Sequence, residues 1–345
     1  MAGFYAILAM IIGAESLLGN LLLTIVIFSG CTKSMAPSFR FMQLMSCFIR
    51  VIYTVTFALT APVIYYVSKE DAIFLVQGVE MDIIPGRILL CFVYFFTGIA
   101  MTVPCIQFVH RYFYLVTIHS RSSWDKWRTW LLALIPFSSA IGIAIASTIQ
   151  DWPSDLEAIR FKPTTYKLNI EADTAFLVIS LREYTSIDAA ANIMPINVAN
   201  TISIIASVCL IFGSFFIMLF CGYKIHKSFS MYGTQLSEKT LKMQKQLQRT
   251  LICQAIVPLV FLDLPFLVEM LGPIFGIDCG RIVMDLSAIL YIMFPAFCPW
   301  FCIFFVDEVR TKAIALVRRH SLVTTSNNHD YSSNNSKKPV VEHKI

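Results

Sequence analysis

Charge is what this sequence has least of. Asp, Glu, Lys and Arg make up 14% of its 345 residues, against about 25% in a soluble domain. The shortage is patterned. The 21 residues from Ile88 to Phe108 hold no charged side chain, and about that length of helix crosses the hydrocarbon core of a bilayer. Apolar and aromatic residues make up 57% of the chain, and they fall in long blocks rather than at amphipathic spacing. That excludes an ordinary soluble domain.

Other absences narrow the chemistry. No CxxC, HExxH or His/Cys cluster occurs, so neither a metal site nor a cofactor is expected. No Gly-rich phosphate loop, nucleophile elbow or paired-carboxylate motif occurs either, so the chain is not expected to be an enzyme. The basic residues follow the links between apolar blocks, which argues against nucleic acid as a partner. Of ten cysteines, Cys47, Cys105, Cys209, Cys221, Cys253, Cys298 and Cys302 lie in or beside apolar blocks, where cysteine serves as a small packing residue. The first block has no basic leader and reads as an uncleaved signal-anchor helix.

What is present is seven apolar blocks, at 5–29, 41–67, 88–109, 130–148, 196–223, 251–275 and 282–305. The expected fold is an all-α membrane protein, a seven-transmembrane helix bundle occupying 1–319. Residues 307–319 read as a short amphipathic helix with Val306, Val309, Ala313, Leu316 and Val317 on one face. Asp307 and Glu308 stand at its start and Arg318 and Arg319 at its end, which suits the helix dipole. It is expected to lie on the membrane surface. Residues 320–345 are Ser/Asn-rich and expected to be disordered. Between spans, 68–87 reads as a polar loop. The longest connection, 149–195, carries a β-prone patch at Phe176 to Ile179 that suits a short hairpin or lid.

Orientation follows from the basic residues. The links 30–40, 110–129 and 224–250 together with 306–345 hold 19 Lys and Arg, and the opposite loops hold 7. The excess belongs in the cytoplasm, with the N-terminus outside and the C-terminus inside.

Three constellations carry candidate chemistry. The third block ends His110-Arg111-Tyr112; Arg111 reads either as a switch at the inner helix end or as a snorkelling cation. Lys239, Lys242, Lys245 and Arg249 form one basic face leading into the sixth block, suited to an acidic partner or to anionic lipid. Pro258 and Pro265, with Pro295 and Pro299 in the seventh block, are expected to bend their helices. Finally, Glu15, Arg50, Asp263, Glu269 and Asp285 lie inside apolar blocks and are expected to face the bundle interior or a water-filled cavity. Each reads as half of a structural pair (Arg50 with Asp263 or Glu15) or as a ligand contact.

Lys239 to Pro265, with Gln244-Lys245-Gln246, Gln254 and Pro258, resembles the sixth-helix signature of nematode serpentine chemoreceptors of the Str superfamily. Phe108 to Tyr112 is similar to that family's third-helix ending, and Pro295 to Pro299 with Asp307 and Arg310 to its seventh. His110 stands where the family has an aromatic residue, and Cys298 where it has aspartate. The resemblance implies a G-protein-coupled, olfactory-type receptor in the plasma membrane of sensory-neuron cilia. Its partners would be an odorant-like small molecule, a heterotrimeric G protein and membrane lipid. Arg111, Tyr112, Lys242, Lys245 and Arg249 would serve the cytoplasmic side. No cysteine lies between Gln150 and Pro195, so Cys91 and Cys279 are the candidate disulfide pair. A seven-span ligand-gated channel and a small-molecule transporter are the alternatives; the first is expected to have its N-terminus inside, the second two related halves.

Overall fold

The computed structural model describes residues 2–29, 37–68, 71–117, 123–167, 174–182, 196–232, 238–274 and 281–316. Its helices are α1 (Ala2–Phe28), α2 (Pro37–Thr60), α3 (Ile83–Tyr112), α4 (Ser123–Gln150), α5 (Asp155–Lys167), α6 (Val198–Tyr232), α7 (Glu238–Pro258), α8 (Leu264–Ile274) and α9 (Arg281–Phe305). A short terminal helix, α10, covers 307–316. The strands are β1 (Pro62–Tyr66), β2 (Asp71–Val76) and β3 (Phe176–Ser180). Seven helical stretches are long and apolar enough to span a membrane, with α7 and α8 forming one of them. Helices suit this solvent because lipid offers no partner to an unpaired backbone group. Ile149, Phe216 and Ile282 are exposed on the outside of the bundle, where acyl chains would cover them.

The second span is shorter than its apolar run. Ala61 takes a φ of 37°, and the chain turns out of α2 into β1. The run continues through Val67 in β-branched and aromatic residues, so apolar content alone cannot mark the boundary. The turn also satisfies the end of α2, whose last carbonyls lack helical partners. Gln77 and Gly78 donate their N–H groups to the Thr60 carbonyl at 3.0 and 2.9 Å, and Val79 donates to Leu59 at 2.9 Å. A Cβ on Gly78 would lie 2.1 Å from the Leu59 oxygen, so no larger residue fits without moving backbone.

The three strands form an antiparallel sheet in the order β1-β2-β3, built partly from residues that read as a polar loop. Ile64, Ala72, Phe74, Val76 and Leu177 join the bundle core. Val63, Tyr65, Ile73, Leu75, Phe176 and Val178 pack with Phe161 of α5 on the other face. With both faces covered, the strands are apolar but for Asp71 and Ser180, which bond each other at 2.6 Å at the sheet end, and they lack the alternation of a half-exposed sheet. Arg87 at the outer end of α3 lies over the rings of Trp152 and Phe176, at 5.5 and 5.7 Å, and ties the sheet to the helices. The sheet with α5 roofs one end of the bundle, called the outer end after the orientation expected from the basic residues, and the opposite end is called the inner one.

At the inner end α10 departs from expectation. Val306, Val309 and Ala313 are buried with Leu23, Cys47 and Leu247. Its apolar face therefore packs on the inner ends of the bundle instead of turning toward lipid. Residues 317–345 lie outside the described residues.

Three prolines of the spans are paired with donors. Pro299 has no N–H to offer the carbonyl of Pro295 four residues back; Asn20 Nδ2 donates to that carbonyl at 3.2 Å. Pro295 likewise frees the Tyr291 carbonyl, and the Tyr53 hydroxyl donates to it at 3.1 Å. Pro273 frees the Glu269 carbonyl, which accepts from the Tyr66 hydroxyl. In the sixth span Pro258 is followed by a π-helical turn, Leu259–Asp263, closed by the Leu264 N–H on the Leu259 carbonyl. Such turns relieve the ladder where proline interrupts it.

Candidate functional site

A cavity lies under the sheet, between α3, α4, α6 and the π turn. Met101, Ala140, Ile143, Ala144, Ile204 and Phe266 give it apolar walls, and Ile179 of β3 reaches it from above. Its open interior of about 90 Å³ holds on the order of six to nine water-sized groups, at about 10–15 Å³ each.

Four of its polar side chains have buried atoms without a hydrogen-bond partner: Tyr94 Oη, Asp151 Oδ1, Ser214 Oγ and Asp263 Oδ1. Asp151, Ser214 and Asp263 are 3%, 4% and 6% exposed, so solvent does not serve them. Tyr94 and Asp151 face each other as a loose hydroxyl–carboxyl pair, outside strict hydrogen-bond geometry. Burial pushes the Asp151 carboxyl, just past the outer end of α4, up to about 8. Other polar groups nearby are satisfied: the Ser203 hydroxyl meets Gln150 Oε1 at 2.9 Å, and Asn200 Nδ2 donates to the Ser180 carbonyl at 2.8 Å.

The acidic and basic residues of the apolar blocks divide. Asp263 lines the cavity, placed there by the π turn. Glu269 is buried beside it in sequence but bonded to Tyr291, whose hydroxyl donates to Oε2 at 2.5 Å. Arg50 pairs with neither Asp263 nor Glu15; its Nε donates to Asn20 Oδ1 at 2.9 Å and its Nη2 to Cys47 Sγ at 3.4 Å. Glu15 does not face the interior. It is exposed on α1 and accepts from Trp300 Nε1 at 2.5 Å. Asp285 is half-buried in α9 and lies outside the cavity. Cys91 carries a free thiol; Cys279, its candidate partner, lies outside the described residues. Sequence reasoning missed Tyr94, Asp151 and Ser214 as cavity groups.

The inner half is closed by interhelical bonds. Arg111 is 7% exposed, so it is no snorkelling cation. Its Nη2 donates to the Gln244 carbonyl at 2.7 Å and to Gln244 Oε1 at 3.1 Å, joining α3 to α7. Gln43 of α2 and Gln254 of α7 exchange amide bonds of 3.1 Å in both directions. Gln107 Nε2 of α3 donates to Ser46 Oγ of α2 at 2.6 Å. Asp307 accepts from Gln246 Nε2 at 2.5 Å and meets Arg310 Nη2 at 2.7 Å and Lys242 Nζ at 3.6 Å. The Gln246 bond, then Arg310 and Lys242, hold the Asp307 carboxyl below the usual range. Lys242, Lys245 and Arg249 are exposed along α7, and Tyr112 is half-buried against Phe220 of α6 at 6.0 Å between ring centres.

A cavity at one end and a separately closed face at the other, joined by proline-interrupted helices, suit a chain that passes a signal between its two ends. Comparison with known proteins agrees. Residues 6–314 match the family described as serpentine type 7TM GPCR chemoreceptor Str. The Caenorhabditis elegans protein named G-protein coupled receptor str-33 is 23% identical over 294 residues, covering 83% of this chain and 82% of that protein. The chain belongs to the Str family of serpentine seven-transmembrane chemoreceptors, a multi-pass membrane protein of a receptor class and not of an enzyme class.

Proposed function

We propose that this chain is a chemosensory receptor that takes a small molecule into the cavity under the sheet and activates a heterotrimeric G protein from its inner face. The cavity carries the reading: it is walled by four spans, roofed by the sheet, and holds buried polar atoms with nothing to bond. A ligand that satisfies them in one helix arrangement better than in another shifts the population toward it. The π turn bearing Asp263 belongs to the same span as Gln244, so occupancy above bears on the Arg111 bond below. In this closed arrangement the G-protein site is shut, and opening it requires α7 to leave α3. The N-terminus faces outward and the tail the cytoplasm, with the plasma membrane of sensory cilia as the working location; the 19-to-7 basic asymmetry supports that orientation.

The test is nucleotide exchange on a heterotrimeric G protein reconstituted with the full chain and driven by a panel of volatile small molecules. Ala144→Trp, which fills the cavity, is expected to abolish the response while leaving surface expression intact. A response undiminished by that substitution places the ligand elsewhere. Epitopes before Tyr5 and after Ile345 test orientation: the first is expected to label in intact cells, the second after permeabilisation alone.

A further inference from the structure

The chemistry of the cavity lining goes one step further than the receptor reading, on which its biological meaning rests. Two of its side chains are carboxyls, Asp151 and Asp263, each with one oxygen buried and unpartnered. Among the described residues no Lys, Arg or His lines it. Tyr94 and Ser214 add hydroxyls that are themselves unpaired. Several other lining hydroxyls are already spent: Thr102 on the Ile99 carbonyl at 3.0 Å, Ser207 on the Ser203 carbonyl at 2.8 Å and Ser203 on Gln150 Oε1 at 2.9 Å.

A buried acceptor without a donor is costly, and a buried carboxyl most of all. Structures tolerate one where a ligand completes it. A ligand carboxylate would find a second carboxyl beside it and no cation among the described lining residues. A ketone or aldehyde has no donor to offer. An alcohol supplies one neutral hydrogen bond. An ammonium supplies several donors and the opposite charge, and charge-assisted bonds are roughly twice as strong as neutral ones. The interior, with room for about six to nine heavy groups, suits a single small hydrocarbon skeleton beside that head group.

We propose that the ligand class of this receptor is the small organic amines, with the ammonium on the unpaired Asp263 oxygen and the hydrocarbon part against Met101, Ala144, Ile204 and Phe266. Asp151 with Tyr94 forms the second polar end of the cavity and takes a further donor where the amine carries one. Asp263 stands on the π turn, so a cation there acts on the span whose inner end holds Arg111.

The test is direct binding to the full-length chain in phosphatidylcholine nanodiscs at pH 7, by calorimetric titration. The probes are isoamylamine and benzylamine, each beside its own alcohol and its own carboxylic acid. The amine is expected to bind at least tenfold more tightly than the matched alcohol, and the acid not to bind. Asp263→Asn is expected to lower amine affinity tenfold or more and to leave the alcohol unchanged. Asp151→Asn serves as a second variant whose folding does not depend on the π turn; it is expected to weaken a diamine probe, 1,4-diaminobutane, more than isoamylamine. Equal affinity for amine and alcohol, absence of amine binding, or an amine preference that survives both substitutions overturns the proposal. Binding without G-protein activation would sink the receptor reading and leave this one. Activation by neutral or acidic ligands alone would sink this one and leave the receptor.

Discussion

The hydroxyl of Tyr53 donates to the carbonyl of Tyr291 at 3.1 Å, and that carbonyl is free because Pro295 cannot bond it. A proline in α9 is thus stabilised from α2. The same arrangement joins Asn20 of α1 to the carbonyl freed by Pro299. Bends that would be loose in an isolated helix become fixed points of the bundle, and Arg50 is held to the same Asn20.

Tyr53→Phe keeps the ring and removes the bond. It leaves a buried carbonyl unpaired, which costs about 1–3 kcal/mol. Thermal unfolding in detergent is expected to shift down by several degrees, with the ligand response retained. An unchanged midpoint would show that the bundle repairs the carbonyl by itself.

Gln43 and Gln254 exchange two amide bonds, so either truncated alone strands the other. Gln43→Leu and Gln254→Leu are each expected to lower stability, and the double substitution to cost less than their sum. Interhelical polar pairs in membranes average about 0.6 kcal/mol, with an upper range near 1.7. A coupling energy of zero in the double-mutant cycle would remove this pair from the inner closure.

Arg111→Ala removes both bonds to Gln244. Surface expression is expected to persist and agonist-driven G-protein activation to fall. Gln244→Ala removes the side-chain bond and keeps the carbonyl, so it is expected to raise basal activity modestly. Signalling equal to the parent in Arg111→Ala would discard the switch role and leave a purely structural one.

Asp151 gives a pH signature. Its folded value of about 8 stands above the ordinary carboxylate value of about 4. The folded chain therefore holds this proton more tightly than the unfolded chain does. Stability is fully present below about pH 4, falls as pH rises toward the folded value, and is level above it, with a slope of up to about 1.4 kcal/mol per unit. The groups facing it are Tyr94 and Cys91 from α3 and Glu157 from α5. Asp151→Asn is expected to flatten the decline in unfolding midpoint between pH 5 and pH 8. A decline of the same size in the variant would assign it to other groups.

The seven spans were legible because a lipid solvent writes itself into composition. The inner closure was legible in part: Arg111, Gln244, Gln246 and Gln254 stood out, while Gln43 lies 211 positions from its partner Gln254 and Asp307 lies 61 from its partner Gln246, and pairing over such distances is set by packing. The sheet was not legible as three strands. Pro62 to Val67 continues an apolar helix without a break, and β2 sits in a stretch whose flanking Glu70, Asp71 and Glu80 read as loop. The cavity had a signal that could have been found. Asn200, Ser203, Ser207 and Ser214 recur at helical spacing along α6, a polar stripe on a span that otherwise has few reasons to carry one. Asp151 had none, since its burial comes from the sheet folding back over the end of α4, where the Val178 N–H bonds the Asp151 carbonyl at 2.9 Å.

The roof has a kinetic meaning. β1 and β2 are a hairpin rooted in α2 and α3, whereas β3 belongs to a different connection and pairs with β2 through five residues. On the proposed reading, a molecule that enters through this roof waits for β3 to part from β2, and one that leaves by the same route waits for the same event. A barrier crossed in both directions slows arrival and departure by one factor and leaves their ratio, the affinity, alone. Dwell time in this receptor is then written in a backbone ladder, separately from the side chains that choose the ligand.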